Sequence, residues 1–206
     1  MRAIAVMVVG LGLALAPWFV DAVHAGPPTD QLRAQIERVL KVLDDPAIKK
    51  TEGTRRVAVR KIAEDIFDFP ETAKRSLARH WQPRSPAERD EFVRLFADLL
   101  ERSYISKIEL YGGEKIAYLT DAVDGDQALV KTNIITKGGA QVPVDYRMLK
   151  KGDKWLVYDV VIEGVSLVAN YRTQFNKIIQ TSSYGELVKK MKAKQGESVE
   201  AAAKKS

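Results

Sequence analysis

The chain has 206 residues, 33 lysines and arginines against 27 acids, a formal charge of +6 and no cysteine. That length supports one domain with its own core, and without cysteine the fold is held by packing, which excludes disulfides and Cys–His chemistry. The basic balance raises nucleic acid as a partner, but the first stretch of chain removes it.

Met1 and Arg2 give a short positive end. Ala3 to Ala16 is an apolar run, Pro17 follows, and Val23-His24-Ala25 supplies small residues where a signal peptidase cuts. Residues 1–25 read as a cleaved secretory signal. The alternative, a membrane anchor, asks for a longer run, since a spanning helix needs ~20 apolar residues. An exported chain leaves anionic membrane surfaces or acidic protein faces as the partners of its positive charge, and no nucleic acid.

Gly26 to Pro28 reads as a linker into a single domain over 26–192. Thr29 or Asp30 caps a first helix with Leu32, Ile36, Val39, Leu40 and Leu43 on one stripe. Asp44-Asp45-Pro46 ends it. A second helix, about Thr54 to Phe67, carries Ala58, Val59, Ile62 and Ile66 on one side. Asp68-Phe69-Pro70 starts a short third helix with Ala73 and Leu77. Ser85-Pro86-Ala87-Glu88 is a capping box with proline at the first helical position. Behind it Phe92, Leu95, Phe96, Leu99 and Leu100 follow at helical spacing, extended by Tyr104 and Ile108.

After Gly112-Gly113 the pattern changes to strands: Lys115 to Val123, Gln127 to Lys137, Gln141 to Lys150, and a fourth from Lys154. The turns between them are short and rich in Gly and Asp, which makes neighbours antiparallel. Val142, Val144, Tyr146 and Met148 share one face of the third strand; Gln141, Asp145 and Arg147 share the other. The segment Lys154 to Gln180 is the best defined, reading as a buried strand, a break at Gly164, and a helix striped by Val168, Tyr171, Phe175, Ile178 and Ile179. A last helix begins at Ser183, with Glu186 completing a second capping box, and buries Leu187, Val188 and Met191. Residues 193–206 are Lys, Ala, Glu, Ser and Gly almost throughout and read as a disordered basic tail. The fold class is α+β: a four-stranded antiparallel curved meander with several helices packed on one face.

Catalytic constellations are thin. His80 is the one histidine left after cleavage, so multi-histidine metal sites are excluded; in ARHWQP at a helix end it reads as a cap or packing residue. Ser166 lacks the second glycine of a nucleophile elbow and reads as a helix-start residue. A cone-shaped isomerase or dehydratase using a pocket Asp and Tyr is the enzymatic alternative, with Tyr118, Tyr146 and Asp159 as its residues. Apolar lining is abundant instead. Helix stripes offering Phe92, Phe96, Leu99, Tyr104, Tyr171 and Phe175 face a sheet offering Ile116, Tyr118, Val130, Ile134, Val144, Tyr146, Met148 and Val157. A filled core and an open pocket fit these residues equally.

EGVSLVANYRTQF, following VPVDYRM and the KWLVYDV strand, resembles the MlaC family, also known as the toluene-tolerance family. The likeness runs from about Asp30 to about Lys192 and is densest from Val142 to Phe175. It implies a periplasmic phospholipid carrier without a cofactor, serving an ABC transport system that maintains outer-membrane lipid asymmetry. The residues above, with Val168, would then line a cavity for acyl chains, and Arg147 and Arg172 would meet phosphate or acidic partners. An apolar cavity needs no polar code, so head-group selectivity would be poor. The implied partners are phospholipid, an inner-membrane ABC transporter with its substrate-binding ring, and an outer-membrane lipoprotein complex. Two further readings are a carrier of hopanoid- or sterol-like lipids and a solid-cored adaptor.

Overall fold

The computed structural model describes residues 26–46, 52–109 and 112–203, with side chains at 26–46, 57–104 and 112–195. The signal read at 1–25, the side chain of Ile108 and the last lysines, Lys204 and Lys205, lie outside these.

The first helix, α1 (Pro27–Asp44), starts earlier than its sequence suggests. Gly26 is the cap rather than part of a linker, and Pro27 takes the first helical position, where its missing N–H is no loss. No local side chain caps this end. Asp121 does so from far along the chain: its Oδ2 accepts from the Gly26 N–H at 2.8 Å and from the Thr29 hydroxyl at 2.9 Å. Thr29, expected as a cap, is buried inside the first turn. α2 (Glu52–Ile66) packs antiparallel to α1 and buries Val59, Ile62 and Ile66. α3 (Phe69–Leu77) begins at Asp68, whose Oδ1 accepts from the Glu71 N–H at 3.1 Å.

α4 (Pro86–Glu109) opens with the expected capping box. The Ser85 N–H donates to Glu88 Oε2 at 2.8 Å, and the Glu88 N–H donates to Ser85 Oγ at 3.2 Å. The Ser85 N–H, with smaller help from its hydroxyl and from Arg84, holds the Glu88 carboxyl below its ordinary value near 4.5. Because the folded group is the stronger acid, its contribution is complete above that ordinary value and disappears as pH falls through the folded one. Acid titration of thermal stability from about pH 6 to about pH 3 should therefore show a limb that Glu88→Gln flattens.

The sheet has five strands in the order β1 (Lys115–Asp124), β2 (Gln127–Ile135), β3 (Gln141–Lys151), β4 (Lys154–Ile162) and β5 (Val165–Ser166). Every neighbour pair is antiparallel, so the meander is as read, with a short fifth strand added after Gly164. That added strand depends on the break. Glu163 and Gly164 both take positive φ, 49° and 82°, turning the chain back on β4 before α5 (Leu167–Thr181). Ser166 caps α5 through the Ala169 N–H at 3.0 Å, confirming it as a helix-start residue.

Two bulges set which side chains share a face. One lies between Tyr118 and Thr120 in β1, the other at Tyr158 in β4, opposite the Arg147/Met148 step. A bulge inserts one residue and reverses the alternation beyond it. Consequently Trp155 and Val157 share their face with Val160 and Ile162, not with Val161 as simple alternation suggests. Each bulge also re-aims an aspartate: Asp121 reaches the start of α1, and Asp159 reaches the start of α5.

The helices divide between two cores. α1 and α2 cover the sheet, burying Leu32, Ile62 and Ile66 with Ala128, Val130, Met148, Trp155 and Val157. α3, α4, α5 and α6 (Tyr184–Ala203) bury a separate cluster of Ala73, Leu77, Phe92, Leu95, Phe96, Phe175, Leu187, Val188 and Met191. α6 continues through Ala203, across residues expected to be a disordered tail. The length of α6 has a simple cause: Ala, Lys, Glu and Gln are strong helix formers, and the helix is already nucleated on the bundle by Leu187, Val188 and Met191.

Candidate functional site

The apolar face of the sheet changes character along its length. Under α1 and α2 it is closed: Val130 and Val157 are 0% exposed and Met148 1%. Toward the other end of the strands the cross-strand rows read Ile116–Ile134–Val142, then Tyr118–Thr132–Val144–Ile162, then Asp121–Val130–Tyr146–Val160, with the Asp121 carboxylate engaged by Gly26 and Thr29. Thr132 and Val144 are buried there, but Ile116, Tyr118, Ile134, Val142, Tyr146, Val160 and Ile162 are all part-exposed. Ile162 pairs with Val165 of β5, which is 60% exposed. The result is an apolar strip crossing all five strands, about 19 Å wide at ~4.8 Å per strand spacing.

Exposure of this kind is not needed for folding, because the core under α1 and α2 is already closed. A contiguous, incompletely covered apolar surface makes the strip the candidate place for an apolar partner. Tyr118 and Tyr146 add polar tips to the strip. Burial pushes the Tyr118 phenol up to about 12 and lifts that of Tyr146 higher still, with the neighbouring tyrosine second among the causes for Tyr146. Both are neutral at any physiological pH.

The helical aromatics expected to face the sheet do not meet it. Phe92, Phe96, Tyr171 and Phe175 pack on one another, with Phe96 5.0 Å from Tyr171 and 5.1 Å from Phe175 between ring centroids. Leu99 joins the same cluster. Tyr104 lies near Tyr171, its phenol raised by burial first and by that neighbour second. Of the lining residues expected from sequence, the structure therefore brings Ile116, Tyr118, Ile134, Val144 and Tyr146 together on the strip. Val130, Met148 and Val157 belong to the closed part of the same face. Val168 is buried at the start of α5.

Arg147 and Arg172 are engaged elsewhere. Arg147 stands on the opposite face of β3 and pairs with Asp159 Oδ2 at 3.0 Å. Arg172 donates from Nε to the Arg75 carbonyl at 3.0 Å. His80 meets Asn176 Oδ1 at 3.0 Å, which ties the end of the α3 segment to α5.

The Asp and Tyr of the enzymatic alternative are separated. Tyr146 sits on the strip face, while Asp159 faces away and is saturated by the Ser166 hydroxyl at 2.6 Å, the Val168 N–H at 3.0 Å and Arg147. Among the described residues no group of three or more His, Asp or Glu stands close enough to hold a metal. Among the same residues no helix is long and apolar enough to cross a membrane. Two surface grooves stand out. One of about 520 Å³ runs beside α1 at Glu37, Leu40, Lys41, Asp44 and Asp45. The other, about 230 Å³, lies among Gln31, Leu32, Gln35, Asp65, Ile66, Met148, Lys154 and Trp155.

Sequence reasoning missed the width of the strip. The contribution of Val165 depends on β5, a two-residue strand too short for any periodicity to announce.

Known proteins resemble this chain in sequence and in fold. The MlaC protein family model matches residues 33–193. The intermembrane phospholipid transport system binding protein MlaC of Haemophilus influenzae is 26% identical over 149 residues, 70% of each chain. A phospholipid-binding protein of Ralstonia solanacearum, solved in complex with a phospholipid, superposes with a TM-score of 0.73 at 24% identity, covering 82% of this chain and 96% of that one.

Proposed function

The chain belongs to the MlaC family, and from that premise we propose that it is a periplasmic phospholipid carrier whose part-exposed sheet strip receives the acyl chains. It would shuttle lipid between an outer-membrane lipoprotein complex and an inner-membrane ABC transporter with its substrate-binding ring, in the service of outer-membrane lipid asymmetry. The observation that carries this reading is the strip itself, apolar across five strands and ending on exposed Val165. The phospholipid held by the Ralstonia protein and the transport role named for the Haemophilus relative support the same assignment.

The energetics fit the task. Each methylene removed from water is worth ~0.8 kcal/mol, so two long chains represent on the order of 20 kcal/mol of exposure to avoid. A carrier crossing an aqueous space must cover those tails, whereas a charged head group is best left in water. Release then requires partners, because tails held this way leave slowly on their own.

The test is native mass spectrometry of delipidated protein before and after incubation with phospholipid vesicles. Adducts at the mass of diacyl phospholipids are expected. Uptake of a hopanoid in preference to phospholipid, from vesicles that hold both, would keep the carrier and change its cargo. A bare mass after incubation would refute the proposal.

A further inference from the structure

One end of the strip carries charge in a defined place. Arg33, on the exposed side of α1, sets its guanidinium over the Tyr118 ring, 4.6 Å from the centroid. A guanidinium held over a ring face keeps N–H donors that the ring does not use, and a phosphate oxygen can accept from them. Glu37 follows one helical turn later, on the same side of α1, and is also exposed. Burial is the main reason the Tyr118 phenol is raised; Arg33 opposes that rise and Glu37 adds to it, so both charges reach this tyrosine. Among the described residues neither Arg33 nor Glu37 has an ion-pair partner. The open groove of about 520 Å³ begins at Glu37 and continues along α1.

Resting on the carrier reading above, we infer that Arg33 and Glu37, one turn apart beside Tyr118, form a head-group site that favours zwitterionic, amine-bearing phospholipids. The guanidinium takes the phosphate and the carboxylate takes the terminal amine. Side chains at i and i+4 start ~5–6 Å apart on a helix, a separation that a two-carbon ethanolamine spacer can bridge. Phosphatidylglycerol presents the same phosphate without the amine. It would leave Glu37 uncompensated beside an anion. The site lies at the solvent edge, where ion pairs are weak, so it tilts selection without governing affinity, and the expected preference is about threefold.

The experiment offers the delipidated protein vesicles holding equal amounts of phosphatidylethanolamine and phosphatidylglycerol with identical acyl chains. Native mass spectrometry reads the ratio of bound lipids. The wild type should favour phosphatidylethanolamine by about threefold. Glu37→Gln should bring the ratio close to one, and Arg33→Gln, which removes a contact common to both lipids, should lower occupancy by each equally and by less than about threefold. Both positions are exposed, and matching thermal melts would establish that the variants are folded. A wild-type ratio at or below one, or a preference untouched by both substitutions, overturns the head-group site while leaving the carrier intact. Absence of either lipid from the wild type overturns the carrier reading, and this inference with it.

Discussion

Replacing Asp159 by alanine is expected to lower the unfolding free energy by about 3 kcal/mol, read from urea denaturation at neutral pH. Its carboxylate is 1% exposed and holds three donors at once: the Ser166 hydroxyl, the Val168 N–H and the Arg147 guanidinium. Losing it orphans a buried backbone N–H in the first turn of α5 and removes a negative charge from a helix N-terminus. The Arg147 ion pair is the smaller share, because that side chain is 47% exposed and stays hydrated when the partner is gone. Arg147→Ala should accordingly cost less than about 1 kcal/mol. Equal losses in the two variants would mean that the ion pair, not the helix start, is what Asp159 stabilises. Asp68 repeats the arrangement: it caps α3 and meets the Lys151 ammonium at 2.5 Å as an ion pair. Both cations stand on β3, and both aspartates mark a crossing from the sheet core to the helical core.

These crossings show where the sequence was legible and where it was not. Periodicity and caps located α4, α5 and the four long strands, because each element carries its own local signal. Ser85 with Glu88, and Ser166 before Leu167, needed no tertiary information. Bulges carry no such signal, since an inserted residue such as Tyr158 looks like any other strand residue. Without the bulges, Asp159 appears on the face of Val157 as a possible pocket acid and Asp121 appears on the strand face opposite Ile116 and Tyr118. The start of α1 was misread for the same reason, as its cap is supplied by Asp121 from a strand far along the chain. The division into two cores was equally hidden. A stripe of Phe92, Phe96 and Leu99 announces that a helix is buried, but not whether a sheet or other helices bury it.

That division separates two effects that a single enclosed core would join. Phe96→Ala is expected to lose about 4 kcal/mol of stability, because the ring is 1% exposed and removing it opens a cavity among Phe92, Tyr171 and Phe175. If the strip holds the acyl chains, protein that remains folded should still take up phospholipid, since these aromatics pack on one another away from the sheet. Ile134→Glu should do the opposite. Ile134 is already part-exposed at the middle of the strip, between Ile116 and Val142, so a carboxylate there can reach water in the empty protein and disturbs folding little. With tails laid over it, the same carboxylate loses its hydration without gaining a partner, a penalty of several kcal/mol. Vesicle uptake followed by native mass spectrometry should therefore show at least about a tenfold loss of bound lipid. The pair of variants decides which surface the tails touch. Lost uptake in folded Phe96→Ala together with normal uptake in Ile134→Glu would move the tails into the helical cluster. The reverse pattern would place them on the sheet, and would explain why its apolar face is left uncovered at one end.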